Sequence, residues 1–461
     1  MQIRIKNIPL FILLFSIAGL NTNAQQQLDQ KKLQQYLDIQ KERLGFSGTI
    51  IVSSSGKSIF SASTGKSSVE LNVPVSANTV FSVASITKSF TATLTLIAAA
   101  EGKLALTDSL FKFFPQLSDS GWRSITVDQL LSHRSGIPHN EGIPGYWTER
   151  SSINYARVPA MKEIFSLQLE ARPGSQVKYS SPGYFVLASI LENLYGKSYG
   201  ALIKEKICIP LNLTHTGQLD NKTIVPDLAS GYLQTADRLT TAPYRSYSLM
   251  KGSGDLYTSG TDLIKFLHSF ENQKWPEILK KEMFIAHSIN AVERGDLYSY
   301  GWFIREKQSG RPKAYYHGGG SFGVSALMAR YPEEKLCIII LSNISVLPVN
   351  QIWSDIESIV LGKPFEMPAV RTSLSIVSKT IQSIAGTYAA TNGMQLTLTA
   401  NNGKLFAKMG NNPPFELFQE SSLKFYGKKV PVDFIFELDN SGRATEITAK
   451  GMGQQFNFIR K

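Results

Sequence analysis

Ser85 and Lys88 form the pair in this 461-residue chain best suited to covalent chemistry. A serine hydroxyl is a weak nucleophile until a neighbouring base takes its proton. Helix positions i and i+3 share one face, so Ser85-Ile-Thr-Lys88 sets a candidate nucleophile beside a candidate base. Lys88 is the only charged side chain between Phe81 and Ala100, in the run FSVASITKSFTATLTLIAAA. A helix that is apolar nearly all round belongs in the interior. Burial strips water from an ammonium and lowers its pKa, which would let Lys88 act as a base near neutral pH. The spacing alone is weak, because Ser-x-x-Lys also begins at Ser54, Ser63, Ser109, Ser175, Ser248 and Ser421. Those copies lie mostly in polar or turn-like surroundings. The plainer alternative has Lys88 snorkelling to solvent at the helix start.

Several elements must position this pair. Residues 46–53 and 57–64 read as strands joined by the turn Ser53-Ser-Ser-Gly56. The helix from Ser85 ends near Gly102, a suitable C-terminal cap. Thr126 caps a helix carrying Leu130 and Leu131. A helix from Pro182 carries Tyr184, Leu187, Ile190 and Leu191 at helical spacing and stops at Gly196. Residues 260–268 form a short amphipathic helix. Ser325–Tyr331 and Leu336–Leu341 pair across Pro332-Glu-Glu-Lys335, and the apolar run of the second marks a central strand. A helix after Pro348 packs back on the sheet. Strands at both ends with helices between predict an α/β (α+β) domain over residues 25–361, with an antiparallel sheet flanked by helices. Residues 362–380 read as a linker. Residues 381–461 hold only short strands and turns, with strands expected at Gln395–Thr399, Lys404–Lys408, Glu416–Phe418, Asp433–Leu438, Thr445–Lys450 and Gln455–Ile459. They predict a small all-β barrel or sandwich without a catalytic constellation.

Bulk properties narrow the setting. Arg4 and Lys6 precede an apolar stretch, Ile8 to Leu20, and then the small-residue exit Asn21-Thr-Asn-Ala24. This is the pattern of a secretory signal peptide over residues 1–24, too short to span a bilayer comfortably. The mature chain is expected to be periplasmic or secreted, without a stable membrane span. Formal charge is +12, and losing Arg4 and Lys6 with the leader lowers it by two. The excess is spread along the chain rather than clustered, which argues against nucleic-acid binding. Cys208 and Cys337 both sit in apolar runs that suit buried free thiols, although the sequence leaves their pairing open. No cysteine or histidine cluster has metal-ligand spacing, so no metal or other cofactor is expected.

The motifs, taken together, resemble a known family. Phe81-Ser-Val-Ala-Ser85-Ile-Thr-Lys88 resembles the first motif of class C β-lactamases and the related low-molecular-weight penicillin-binding proteins. Five further stretches agree in order: Glu101-Gly-Lys-Leu104 through Asp108; Leu130-Leu-Ser-His-Arg-Ser-Gly136; Pro173-Gly174 with Tyr179-Ser-Ser181; Gly254-Asp-Leu-Tyr-Thr258 with Asp262-Leu263; and His317-Gly-Gly319. The likeness covers roughly residues 45–345 and implies a β-lactamase/transpeptidase-like fold, with the terminal β-domain resembling barrels appended to such hydrolases. It implies that Ser85 is acylated and that Lys88 and Tyr179 share proton transfer. It places the oxyanion hole at the backbone N–H groups of Ser85 and Gly320, and Ser181, His317 and Gly319 along the substrate cleft. The comparable histidine, His133, is expected to be structural. Two departures bear on substrate: Ser181 stands where the family usually has asparagine, and the third motif lacks lysine and has Gly318 where a hydroxyl is common. Both weaken the expected grip on a substrate carboxylate. His317 could still take an anion when protonated, and arginines such as Arg330 could contribute.

The leading expectation is a serine hydrolase that forms an acyl-enzyme at Ser85 and acts on amide or ester bonds. Its substrate would be a D-amino-acid or cell-wall peptide, including peptidoglycan-derived ones, or a small ester. The alternatives are a β-lactamase and a non-catalytic envelope-binding protein on the same fold. Oligomeric state is left open.

Overall fold

The computed structural model describes residues 30–461 except 235–237, 272–274, 289–295, 309, 369–372, 375, 377, 392, 411–413, 428–431 and 452–453. The leader expected at residues 1–24 lies outside the described residues, as does part of the expected linker. Among the described residues no helix is long and apolar enough to cross a membrane.

The centre of the larger unit is an antiparallel sheet. In chain order its strands are β1 (Gly48–Ser54), β2 (Lys57–Thr64), β3 (Leu297–Ser299), β4 (Trp302–Arg305), β5 (Ala314–Ser321), β6 (Val324–Tyr331) and β7 (Leu336–Ser342). In space they run β3-β4-β5-β6-β7-β1-β2. β6 and β7 are buried at every residue, and their alternate side chains feed two separate cores. Ile338 and Ile340 point to the side holding the 30–44 helix (Tyr36, Leu37) and the Val349–Val360 helix (Ile352, Ile356). Cys337, Ile339 and Leu341 point to the side holding the helix that follows Ser85. A continuous apolar run is what a strand covered on both faces requires.

That helix begins later than its sequence suggests. Ala84–Ile86 form a 3₁₀ turn, and the α-helix proper runs Thr87–Ala100. Ala84 has φ 44°, a left-handed conformation that strains a residue with a Cβ. The helix is buried from Thr87 to Ala98 despite its threonines. The Thr93 and Thr95 hydroxyls donate to the carbonyls of Ser89 and Thr91, each at 2.8 Å, and so bury without leaving an unpaired donor. The Ser181–Tyr195 helix starts at the cap Ser180, whose Oγ accepts from Gly183 N at 3.0 Å, and stops at left-handed Gly196. Thr126 and Gln129 complete a reciprocal capping box at the Val127–Leu131 helix.

The C-terminal unit is a closed barrel of eight strands between Gly386 and Arg460. Two of these strands, Gly386–Ala390 and Lys424–Gly427, add to the six expected from sequence. Ile381 and Ile384 of the preceding helix join the barrel's own core of Leu396, Leu405, Leu417, Phe434 and Phe458. Cys208 and Cys337 are both free and buried.

Candidate active site

Ser85 sits in the 3₁₀ turn ahead of the buried helix, half-buried, where first-turn N–H groups have no acceptor within the helix. Lys88 is fully buried, which removes the snorkelling alternative. Its Nζ lies 3.2 Å from Ser85 Oγ, 3.1 Å from Ser181 Oγ and 2.8 Å from the Ser253 carbonyl. Burial holds its pKa well below the usual lysine range, and the carboxyl of Asp255 opposes that shift. Ser181 is thus brought to Lys88 by the start of its helix, one residue beyond the Ser180 cap.

Tyr179 precedes that cap and is half-buried, with the Lys88 Nζ 4.8 Å from its ring centroid. Burial raises the pKa of its phenol, and a hydrogen bond with Ser85 offsets part of that rise. The phenol therefore carries its proton at neutral pH.

β5 lies flush against the serine turn. A Cβ at Gly319 would fall 2.1 Å from the Val83 carbonyl and 3.4 Å from Ser85 N, so only glycine allows this approach. Gly320, the next residue, is exposed and pairs in register with Ser325. His317 lines the same strand, 6.3 Å between ring centroids from Tyr179. Its burial disfavours the protonated form that the sequence reading offered for anion binding. Burial, with Lys88 adding to it, pushes its pKa down to about 3. The ring is neutral at pH 7, with Nδ1–H donating to the Gly318 carbonyl at 2.7 Å and Nε2 left as a buried acceptor without a partner among the described residues. Arg330 is buried with Glu271, at 3.9 Å, and lies over the Phe284 ring.

Two more histidines frame the site. His133, at φ 57°, accepts from Ser180 N through Nδ1 at 3.1 Å. His139 accepts from Ser181 N through Nδ1, also at 3.1 Å. Burial lowers both, His139 to about 4. Sequence reasoning left His133 out of the catalytic set and missed His139, whose packing edge-on to Tyr179, 5.2 Å between centroids, links positions far apart in the chain.

Behind Lys88 lies Asp255, fully buried and pushed by burial up to about 7. Its carboxyl accepts from Gly252 N at 2.9 Å and Gln218 Nε2 at 2.8 Å. The first contact closes the turn that presents the Ser253 carbonyl to Lys88. Leu256 N donates to Thr87 Oγ1 at 3.1 Å and ties the same segment to the helix. The sequence placed Asp255 within a motif but assigned it no task.

A second polar cluster lies on the same face of the sheet, beside the Gly260–Ser269 helix, where His268, Glu271 and Cys337 bring their ligand atoms within 4.8 Å of one another. Their separation in sequence hid this grouping from a search on metal-ligand spacing. Both ring nitrogens of His268 are engaged, Nδ1 with Glu271 at 3.0 Å and Nε2 with Ser53 Oγ at 3.1 Å.

The chain is similar to known proteins over most of its length. A penicillin-binding protein of Bacillus subtilis (strain 168) is 26% identical over 434 residues, covering 89% of this chain and 94% of that protein. The teichoic acid D-alanine hydrolase of Staphylococcus aureus is 25% identical over 346 residues, covering 74% of this chain and 80% of that protein. The structure of the octameric penicillin-binding protein homologue from Pyrococcus abyssi superposes with a TM-score of 0.64 at 24% identity, covering 93% of this chain and 99% of that one. The family model described as Beta-lactamase matches residues 30–353, the span that holds the sheet, the Ser85–Lys88 helix and the Tyr179 segment, and the chain belongs to that family.

Proposed function

We propose that this protein is an exported serine hydrolase that forms an acyl-enzyme at Ser85 and cleaves amide or ester bonds next to D-amino acids. The observation that carries the reading is a fully buried Lys88 whose Nζ lies 3.2 Å from Ser85 Oγ, in surroundings that a neutral amine can satisfy. A neutral amine has two N–H groups and one lone pair. Ser253 O at 2.8 Å can only accept, and Ser181 Oγ at 3.1 Å can accept a second hydrogen. The lone pair is then left for the Ser85 hydroxyl at 3.2 Å. Burial favours this neutral form.

Acylation follows from that arrangement. Lys88 takes the Ser85 proton as Oγ bonds to the substrate carbonyl carbon, and the oxyanion faces the N–H groups of Ser85 and Gly320. Collapse breaks the bond to the leaving amine or alcohol, which receives a proton from Tyr179; the protonated Lys88 restores the phenol. Water then attacks the acyl-enzyme with the same groups in reverse. We assign this chemistry to residues 25–361, with the barrel as an appended domain and 1–24 as the leader that exports the chain. The D-amino-acid preference is supported by relatives whose names carry penicillin binding and D-alanine hydrolysis.

Labelling with a fluorophosphonate and with a fluorescent penicillin, read by mass spectrometry, tests the reading. An adduct on Ser85 that disappears in Lys88→Ala is expected. A folded protein that neither reagent labels overturns it.

A further inference from the structure

One buried arginine near the serine turn has no acidic partner among the described residues. Arg245 is 8% exposed. Its guanidinium carbon lies 4.3 Å from the ring centroid of Phe322, 4.7 Å from that of Trp147 and 5.8 Å from that of Tyr146. The backbone carrying it is fixed. Asn221 donates through Nδ2 to Arg245 O at 3.1 Å and accepts through Oδ1 from Tyr247 N at 2.9 Å. Ser246 N donates to the Ser151 carbonyl at 2.7 Å. The guanidinium's own contacts are sparse: Nη1 meets Met250 Sδ at 4.0 Å, and Nε and Nη2 are buried without a hydrogen-bond partner. The Tyr146 hydroxyl is likewise buried and unpartnered.

Two other arginines of this domain with largely covered side chains are treated differently. Arg305 makes two 2.8 Å hydrogen bonds to Glu357, and Arg330 lies 3.9 Å from Glu271. Asp220 shares the Arg245 cleft, but its oxygens are taken by Lys222 N, Thr223 N and Thr223 Oγ1. A buried guanidinium keeps its charge at physiological pH and calls for an anionic partner. Stacking on aromatic faces fixes its plane and leaves the N–H edge for a two-point contact.

The cleft beside Arg245 has a volume of 320 Å³ and is lined also by Ser82, Tyr247, Phe322, Gly323 and Asn343. Ser82 comes three residues before Ser85, and Phe322 two residues after Gly320. The cleft is therefore lined by residues within three positions, along the chain, of both halves of the proposed acylation site. We propose that Arg245 forms a carboxylate-binding subsite for the substrate. This rests on the hydrolase reading above and deepens it. The third motif lacks a lysine and its histidine is neutral, so the positive charge comes from a different loop. The carboxylate belongs either to the acyl part of the substrate or to its leaving group.

Calorimetric binding to the non-turning-over Ser85→Ala protein separates these sources and does not depend on catalysis. One ligand pair is N-acetyl-D-alanyl-D-alanine and its C-terminal carboxamide; the other is N-succinyl-D-alaninamide and N-acetyl-D-alaninamide. The carboxylate member of one pair is expected to bind at least about tenfold more tightly, and the pair that responds names the side. Adding Arg245→Gln should reduce that preference to within about twofold, and Arg245→Lys should restore part of it. Unfolding curves matched to the parent establish that the variants are folded. A preference absent from both pairs, or one that survives Arg245→Gln, overturns the subsite. Ser85 labelling in the unmodified protein decides the hydrolase reading separately.

Discussion

Two serine clusters in this domain invite comparison. Ser53, His268 and Glu271 are linked in the order hydroxyl, imidazole, carboxylate, at 3.1 and 3.0 Å. That is the order of many hydrolytic triads. Ser85, Lys88 and Tyr179 form the less familiar set. Yet Ser53 is fully buried near the end of β1, in register with Cys337 of β7 and Ser58 of β2. Its backbone is committed to the sheet on both sides. Ser85 is half-buried at the mouth of a helix, beside a strand that reaches it through glycines. Linear order of hydrogen bonds is therefore not what distinguishes a reactive serine. Access and uncommitted backbone donors are.

The sharpest way to break this comparison is to remove each hydroxyl. Ser85→Ala should lower hydrolysis of D-amino-acid esters and amides by about a thousandfold or more, whereas Ser53→Ala should leave it within about twofold. Steady-state kinetics on both variants decides it, and equal losses would collapse the distinction.

Next in size is the base. Lys88→Ala should cost about a hundredfold to ten-thousandfold in kcat/KM. Lys88→Arg should do no better, because a guanidinium does not give up its proton. His268→Ala should instead leave kcat/KM nearly unchanged while lowering stability by about 1–3 kcal/mol through the buried partners it strands, read from denaturant unfolding.

A smaller effect concerns pH. The carboxylate of Asp255 raises the Lys88 pKa, so neutralising it should favour the free amine. Asp255→Asn is expected to move the acidic limb of the kcat/KM profile to lower pH. Glu271→Gln, in the other cluster, should leave that limb in place.

The smallest effect is on stability. His139 and His317 have folded pKa values of about 4 and 3, below the ordinary 6.5. The unfolded chain then binds more protons than the folded one below pH 6.5, so stability present above that pH is lost as pH falls toward 4 and 3. His139→Asn should flatten this slope in urea unfolding measured from about pH 7 to about pH 4.5.

The reasons some of this was legible in sequence and some was not are physical. Lys88 stood out because a lone charge in an apolar helical run has few explanations, and the Tyr179–Ser181 segment was marked by its motif and by the helix start at Pro182. The central strand β7 announced itself as an unbroken apolar run. His139 and Arg245 gave no such signal. Each lies in a polar loop where a solvated side chain is the default, and each becomes special only through neighbours brought from elsewhere in the fold. The lowered pKa of His317 was out of reach for the same reason, since it comes from burial that no local pattern encodes. Two barrel strands escaped notice because Lys424–Gly427 is short and Gly386–Ala390 adjoins a linker-like stretch.

The close approach of Gly319 to the serine turn has a mechanical consequence. The gap between β5 and Ser85 is set by main chain resting on main chain, with the Val83 carbonyl as the stop. Such a gauge contains no rotamers, so its width does not drift as side chains hop. Any residue larger than glycine at position 319 would act as a shim, prying the strand from the turn and detuning the site without touching Ser85, Lys88 or Tyr179.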